Sequence, residues 1–149
     1  MASSSRLPRG PHAERPRPDE TVRKQTGADL QNGWLARHGT LSLTDERLVF
    51  VPTVLDTLLQ AKRREIPLDT LEEVERFPRN PGEFTVGGKR PRILLHTPEC
   101  VYEFMVPDLD AWIDAIEIVC EKRVEQGRAE RAPAIAREGY TNLLRQLEE

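Results

Sequence analysis

Between Gly39 and Val106 the chain is a succession of short runs in which apolar and polar residues alternate, each closed by turn-forming residues. Period-two alternation is what a strand with one buried face requires, and runs this short do not make a helical bundle. Thr40-Leu41-Ser42-Leu43-Thr44 and Arg47-Leu48-Val49-Phe50-Val51 flank a polar Asp45-Glu46 pair, and Pro52 follows. This predicts a hairpin over 39–51 with Leu41, Leu43, Leu48 and Phe50 inward. Asp-Glu is not the Asn-Gly of the tightest hairpins, which leaves room for a loop of more than two residues.

The pattern continues downstream. Ile66-Pro67-Leu68 reads as extended, with the proline at a sheet edge, and Leu71, Val74 and Phe77 carry an apolar thread to Pro78. Phe84 and Val86 lie between turns at Asn80-Pro81-Gly82 and Gly87-Gly88-Lys89. Arg92–His96 is a strand, and after Thr97-Pro98-Glu99 the residues Cys100, Tyr102, Phe104 and Val106 alternate again. Several short strands at this spacing point to a sandwich or a partly open barrel.

One helix is clear. Pro107-Asp108 opens it, with Asp108 as the cap and Asp110 in the first turn, where acids favour the helix dipole. Leu109, Trp112, Ile113, Ile116, Val119, Cys120 and the stem of Arg123 recur at spacings of three and four and mark one apolar face. Gly127 is placed to end it. Residues 129–148 read as a second helix, with Ile135, Tyr140, Leu143, Leu144 and Leu147 as its apolar set and Pro133 and Gly139 working against it. That stripe packs on its own domain, forms a homodimer or seats on another protein.

The ends differ in character from the middle. Residues 1–24 hold Pro8, Pro11, Pro16 and Pro18 among arginine, serine and glycine, too little apolar surface to offset ordering, and are expected to be a disordered basic tail. The first 25 residues carry six basic groups against three acidic ones, although the whole chain is at −3. The remainder is therefore acidic, which argues against a dedicated nucleic-acid binder. The division expected is a tail over 1–24, a domain over 25–126 and a helical extension over 127–149.

No run approaches the ~18 apolar residues of a membrane span, and the N-terminus shows no apolar core of a secretory signal. A cytoplasmic location is the expectation, with Cys100 and Cys120 reduced and partly buried rather than paired.

Chemistry finds little support. His96 and Cys100 are four apart across a turn, not on one helix face, and His12, His38 and Cys120 lack ligand-like spacing, so no metal is expected. Cys100 with His96 as its base lacks any sign of an oxyanion site or an orienting acid. Gly87-Gly88-Lys89-Arg90-Pro91 is too short for a phosphate loop and leads into a strand. No cofactor and no catalytic residue is assigned.

Residues 53–65 are the ambiguous stretch. Val54, Leu55, Leu58 and Leu59 follow helical spacing and lead into Lys62-Arg63-Arg64. In the plainer reading the leucines fold back and finish a small core. Otherwise they dip into a lipid interface while the cations meet anionic headgroups, or they contact a protein. Lys89, Arg90 and Arg92 at a neighbouring hairpin tip would extend the patch.

Two segments carry a resemblance. Gly39-Thr40-Leu41-Ser42-Leu43-Thr44-Asp45-Glu46-Arg47-Leu48-Val49-Phe50 and Ile66-Pro67-Leu68-Asp69-Thr70-Leu71-Glu72-Glu73-Val74 resemble the GRAM family of bacterial type, a branch of the pleckstrin-homology-like folds. The likeness spans roughly residues 28–120, and the helix bearing Trp112 is similar to the closing helix of that superfold. It implies a mainly β domain with a C-terminal helix: a barrel of two near-orthogonal antiparallel sheets, closed at one end by the helix. The chain departs from the family at the apolar insertion between Pro52 and Glu65. It also has only Arg37 and His38 where lipid-binding relatives carry a basic cluster. Function is therefore expected to be that of a non-enzymatic adaptor for an unidentified protein, with peripheral binding to an anionic membrane as the alternative. The candidate contacts are Leu58, Leu59, Lys62, Arg63, Arg64, Lys89, Arg90 and Arg92, and on the C-terminal stripe Tyr140, Leu143, Leu144 and Leu147.

Overall fold

In a computed structural model of the chain, residues 15–32, 35–77 and 91–136 are described. Strand β1 (Val22–Asn32) pairs with β2 (Leu35–Thr44), and β2 with β3 (Arg47–Pro52). A one-turn helix α1 (Val54–Leu58) precedes β4 (Arg64–Pro67). A single 3-10 turn leads to β5 (Glu73–Phe77), followed by β6 (Arg92–His96), β7 (Val101–Met105), the long helix α2 (Leu109–Glu125) and β8 (Ala134–Ala136).

The described strands form one continuous eight-stranded sheet in the order β4-β3-β2-β1-β7-β6-β5-β8, not two separate sheets. It is nevertheless strongly curled. Phe50 on β3 and Phe104 on β7 are separated by two strands, about 14 Å across a flat sheet, yet their ring centroids are 5.5 Å apart. Their contact requires the sheet to curl so that its two limbs share one core. Leu41, Leu43, Leu48 and Phe50 lie in that core, as their alternation predicts.

Helix α2 fills the open side of the curl. Its buried residues are Leu109, Trp112, Ile113, Ile116, Val119, Cys120 and Arg123, the face read from the spacing. Trp112 is wholly buried, and its indole N–H donates to Thr26 Oγ1 at 3.1 Å, so burial leaves no orphan donor. Buried Arg123 ties the helix to the β2–β3 turn through the Asp45 carbonyl (3.0 Å) and Glu46 (3.0 Å), and to Asp69 at 2.6 Å. Gly127, with φ at 73°, ends the helix: its N–H returns to the Val124 carbonyl and that of Arg128 to Arg123.

Several expectations are corrected. Within the segment expected to be a disordered tail, Glu20 is buried and β1 begins at Val22. β1 escapes a hydrophobicity reading because small and polar Lys24, Gln25, Thr26 and Gly27 fill its centre. The helix expected from residue 129 is instead extended at Ala134–Ala136. Pro133 disfavours helix in the residue before it, and the Ala134 N–H bonds the Glu72 carbonyl as β8 pairs in parallel with β5. Ile135 thus packs against the core from a strand. Asp108 stands at the cap position of α2 but has left-handed backbone (φ 50°, ψ 56°), and its side chain makes no cap hydrogen bond. Cys120 is buried, whereas Cys100 is exposed; both thiols are free. The expected turns and strand between Asn80 and Arg90 lie outside the described residues, as does the chain beyond Ala136.

Candidate binding surface

Residues 53–63 connect β3 to β4 and stand outside the sheet. Thr53 caps α1, its Oγ1 accepting the Asp56 N–H at 3.2 Å. Gln60, with left-handed backbone (φ 69°), closes it, and the Ala61 N–H returns to the Asp56 carbonyl at 2.8 Å. One side chain of α1 turns inward, and it is the acid. Asp56 is 6% exposed and accepts the backbone N–H of His38 on β2. Its position is fixed by that bond, and with it the orientation of the turn.

The consequence is an inverted amphipathic turn. Val54, Leu55, Leu58 and Leu59 are 57%, 67%, 75% and 56% exposed. The spacing correctly marks them as one face, but that face points away from the core, so the reading in which the leucines fold back is overturned. Single exposed apolar residues are ordinary; four on and beside one capped turn make a candidate contact surface. Leu35, at the start of β2, is also exposed. Because Gly39 pairs with Pro52, the start of β2 and the end of β3 lie at one end of the sheet.

Cations adjoin this turn. Lys62 and Arg63 are exposed, and Arg64 is half-buried where β4 begins. Arg63 Nη1 lies 3.2 Å from Glu65 Oε2. The other candidates are distributed differently. Arg92 is buried and bonded to Glu103 at 2.6 Å, so it does not belong to an exposed patch. Lys89, Arg90, Tyr140, Leu143, Leu144 and Leu147 lie outside the described residues.

His96 does not face Cys100. Its Nε2 is 2.9 Å from Glu75 and 3.6 Å from Glu73, both on β5, and the three potential ligand atoms lie within 4.8 Å of one another. Cross-strand pairing of Glu73 with His96 produces this group, which local spacing does not reveal. Two carboxylates around one imidazole form a hydrogen-bonded charge cluster in their own right. A groove of about 540 Å³ runs beside the start of α2, lined by Ala28, Asp29, Arg76, Met105, Asp108 and Asp110 among others. Arg76 spans part of it to Asp110 at 2.9 Å. Among the described residues no helix is long and apolar enough to cross a membrane.

No protein-family model matches the chain, and no curated protein sequence matches it. Solved structures do. It is similar to the C-terminal domain of an unknown protein from Leishmania infantum, with a TM-score of 0.53 at 16% identity over 67% of this chain and 84% of that one. The hSac2 domain from human phosphoinositide phosphatase Sac2 gives a TM-score of 0.52 at 15% identity, over 80% of this chain and 77% of that chain. The Vps36 N-terminal PH domain gives 0.49 at 16% identity, over 74% and 83%. At these identities the likeness is one of fold alone: a mainly β fold closed by a helix.

Proposed function

We propose that this chain is a non-enzymatic binding module that docks peripherally, from the cytoplasmic side, on an anionic membrane surface through α1. The observation that carries the reading is the inversion of α1: its acid is buried on the His38 N–H, and Val54, Leu55, Leu58 and Leu59 face outward beside Lys62 and Arg63. Apolar side chains entering the headgroup boundary contribute on the order of 1 kcal/mol each when partly buried. Each cation near an anionic surface adds about 1 kcal/mol. The sum is a reversible contact rather than an anchor. The GRAM attribution belongs to this reading, and the Gly39–Phe50 hairpin that suggests it leads through Pro52 into α1.

A second reading keeps the same surface and changes the occupant. The chain after residue 25 is acidic, which opposes a negative membrane and favours a protein adaptor seated on the apolar turn. Sedimentation with phosphatidylcholine vesicles, with and without phosphatidylserine, separates the two. Binding is expected only with phosphatidylserine, and it is lost in Leu58→Ser with Leu59→Ser and in Lys62→Glu with Arg63→Glu. Absence of binding to the anionic vesicles, or indifference to both double variants, removes the membrane reading and leaves the adaptor.

A further inference from the structure

The segment before β1 is clamped to the sheet. Glu20 Oε2 accepts from Arg47 Nε at 2.9 Å and Thr44 Oγ1 at 2.7 Å, while Oε1 accepts from Arg47 Nη2 at 3.0 Å and the Arg17 backbone N–H at 2.9 Å. Thr21 and Asp45 exchange two further bonds, at 2.9 and 3.2 Å. From this anchor at the β2–β3 turn, the chain read backward climbs along β3 and β4. Glu20 meets Arg47, and Arg17 meets Glu65, which is paired with Val49. The next residues up β4 and its approach are Arg64, Arg63 and Lys62.

Glu65 is the meeting point. Arg17 Nη2 lies 3.0 Å from it, Arg47 Nη1 3.4 Å and Arg63 Nη1 3.2 Å. One carboxylate faces three guanidinium groups from three parts of the chain. With Glu20 counted against Arg47, positive charge remains in excess, and exposed Lys62 adjoins Arg63 in the sequence. Arg17 is 56% exposed at its side chain and reaches this cluster from outside. Arg6, Arg9 and Arg15 precede it in the sequence.

We infer that Arg17 is a second arm of the docking face, delivered there by the Glu20–Arg47 clamp, and that it engages the phosphates of anionic lipid together with Lys62 and Arg63. This rests on the membrane reading of α1. On the surface, Arg17 and Arg63 exchange a shared carboxylate for phosphate oxygens, which guanidinium binds in a bidentate fork. Exposed ion pairs are weak enough for that exchange.

The test uses the full chain and phosphatidylserine-containing vesicles. Arg17→Glu is expected to weaken sedimentation roughly tenfold or more, as reversal of one interfacial cation implies. Lys122→Glu, exposed on α2 and outside the Glu65 cluster, supplies the same charge change as a control and is expected to leave binding unchanged. Matching thermal unfolding of wild type and Arg17→Glu excludes loss of the clamp as the cause. Wild-type binding with Arg17→Glu equally tight, or with Lys122→Glu equally weakened, overturns this inference and leaves the α1 reading standing. Wild type that ignores the anionic vesicles overturns both.

Discussion

Asp56 and Leu58 lie two residues apart on α1 and face opposite ways: the carboxylate is buried against the His38 N–H, and the leucine is three-quarters exposed. Ordinary surface turns do the reverse. The pair therefore separates folding from function. Leu58→Ser with Leu59→Ser is expected to change unfolding free energy by no more than about 0.5 kcal/mol, as for surface positions generally. Asp56→Ala leaves the His38 N–H without its acceptor and is expected to cost about 1–3 kcal/mol. Urea unfolding of the two variants checks this. A loss of 2 kcal/mol or more in the leucine variant places those side chains in the core after all.

Glu20 links pH to the clamp. Burial alone raises a carboxyl, but here hydrogen bonds from Arg47, the Arg17 backbone and Thr44, with the Arg47 charge, outweigh it and hold Glu20 at about 2 against an ordinary 4.5. A folded-state value below the unfolded one means stability present above pH 4.5 and lost as pH falls towards 2. The lowering corresponds to about 3 kcal/mol. Glu20→Gln is expected to remove most of that acid-dependent portion, so that its unfolding free energy falls less than wild type between pH 5 and pH 2.5 in denaturant titrations. Glu20→Ala also leaves Arg47 buried without its main partner and is expected to cost about 3–5 kcal/mol at neutral pH.

Gly39 is required by space. A Cβ there would meet Phe50 Cζ at 2.7 Å and Pro52 Cα at 2.8 Å, and the Val51 carbonyl closer still. Backbone cannot retreat as a long side chain can, and Phe50 is locked in the core against Phe104. Gly39→Ala is expected to cost about 1–3 kcal/mol. Gly27, on the paired strand, has only the Gly39 carbonyl near, at 3.9 Å. Gly27→Ala is expected to be neutral or stabilising by up to about 1 kcal/mol through the unfolded chain. Thermal unfolding of the two alanine variants side by side tests the contrast.

These residues also mark where the sequence was readable. Core strands and α2 were legible because burial on one face imposes a period, and that period survives in the apolar residues alone: Leu41, Leu43, Leu48 and Phe50, then Trp112, Ile113 and Ile116. β1 was not, since its inward residues Thr26 and Ala28 are polar or small and leave only Leu30 as a strong apolar signal. α1 was half legible. Its spacing showed a face but not which way it pointed, because direction was decided by Asp56 reaching a backbone group eighteen residues away. The Arg17–Glu65–Arg63 convergence and the Glu73–Glu75–His96 cluster depend on strand register, which no local window contains.

The two thiols give a check on the closing helix that needs no substitution. Burial pushes the Cys120 thiol up to about 11, with the Arg123 guanidinium opposing the shift, so the thiolate is almost absent at neutral pH and the sulfur is covered. Cys100 is exposed in the turn before β7, where Thr97 bonds its backbone on both sides. With a thiol-reactive chromophore, one equivalent is expected to react promptly at pH 8, and the second only as denaturant unfolds the chain. The slow phase should follow the loss of helical circular dichroism, since Cys120 lies on the buried face of α2. Rapid modification of both cysteines in native conditions means that α2 does not stay seated in the curl of the sheet. The shared core inferred from the Phe50–Phe104 contact would then lack its cover.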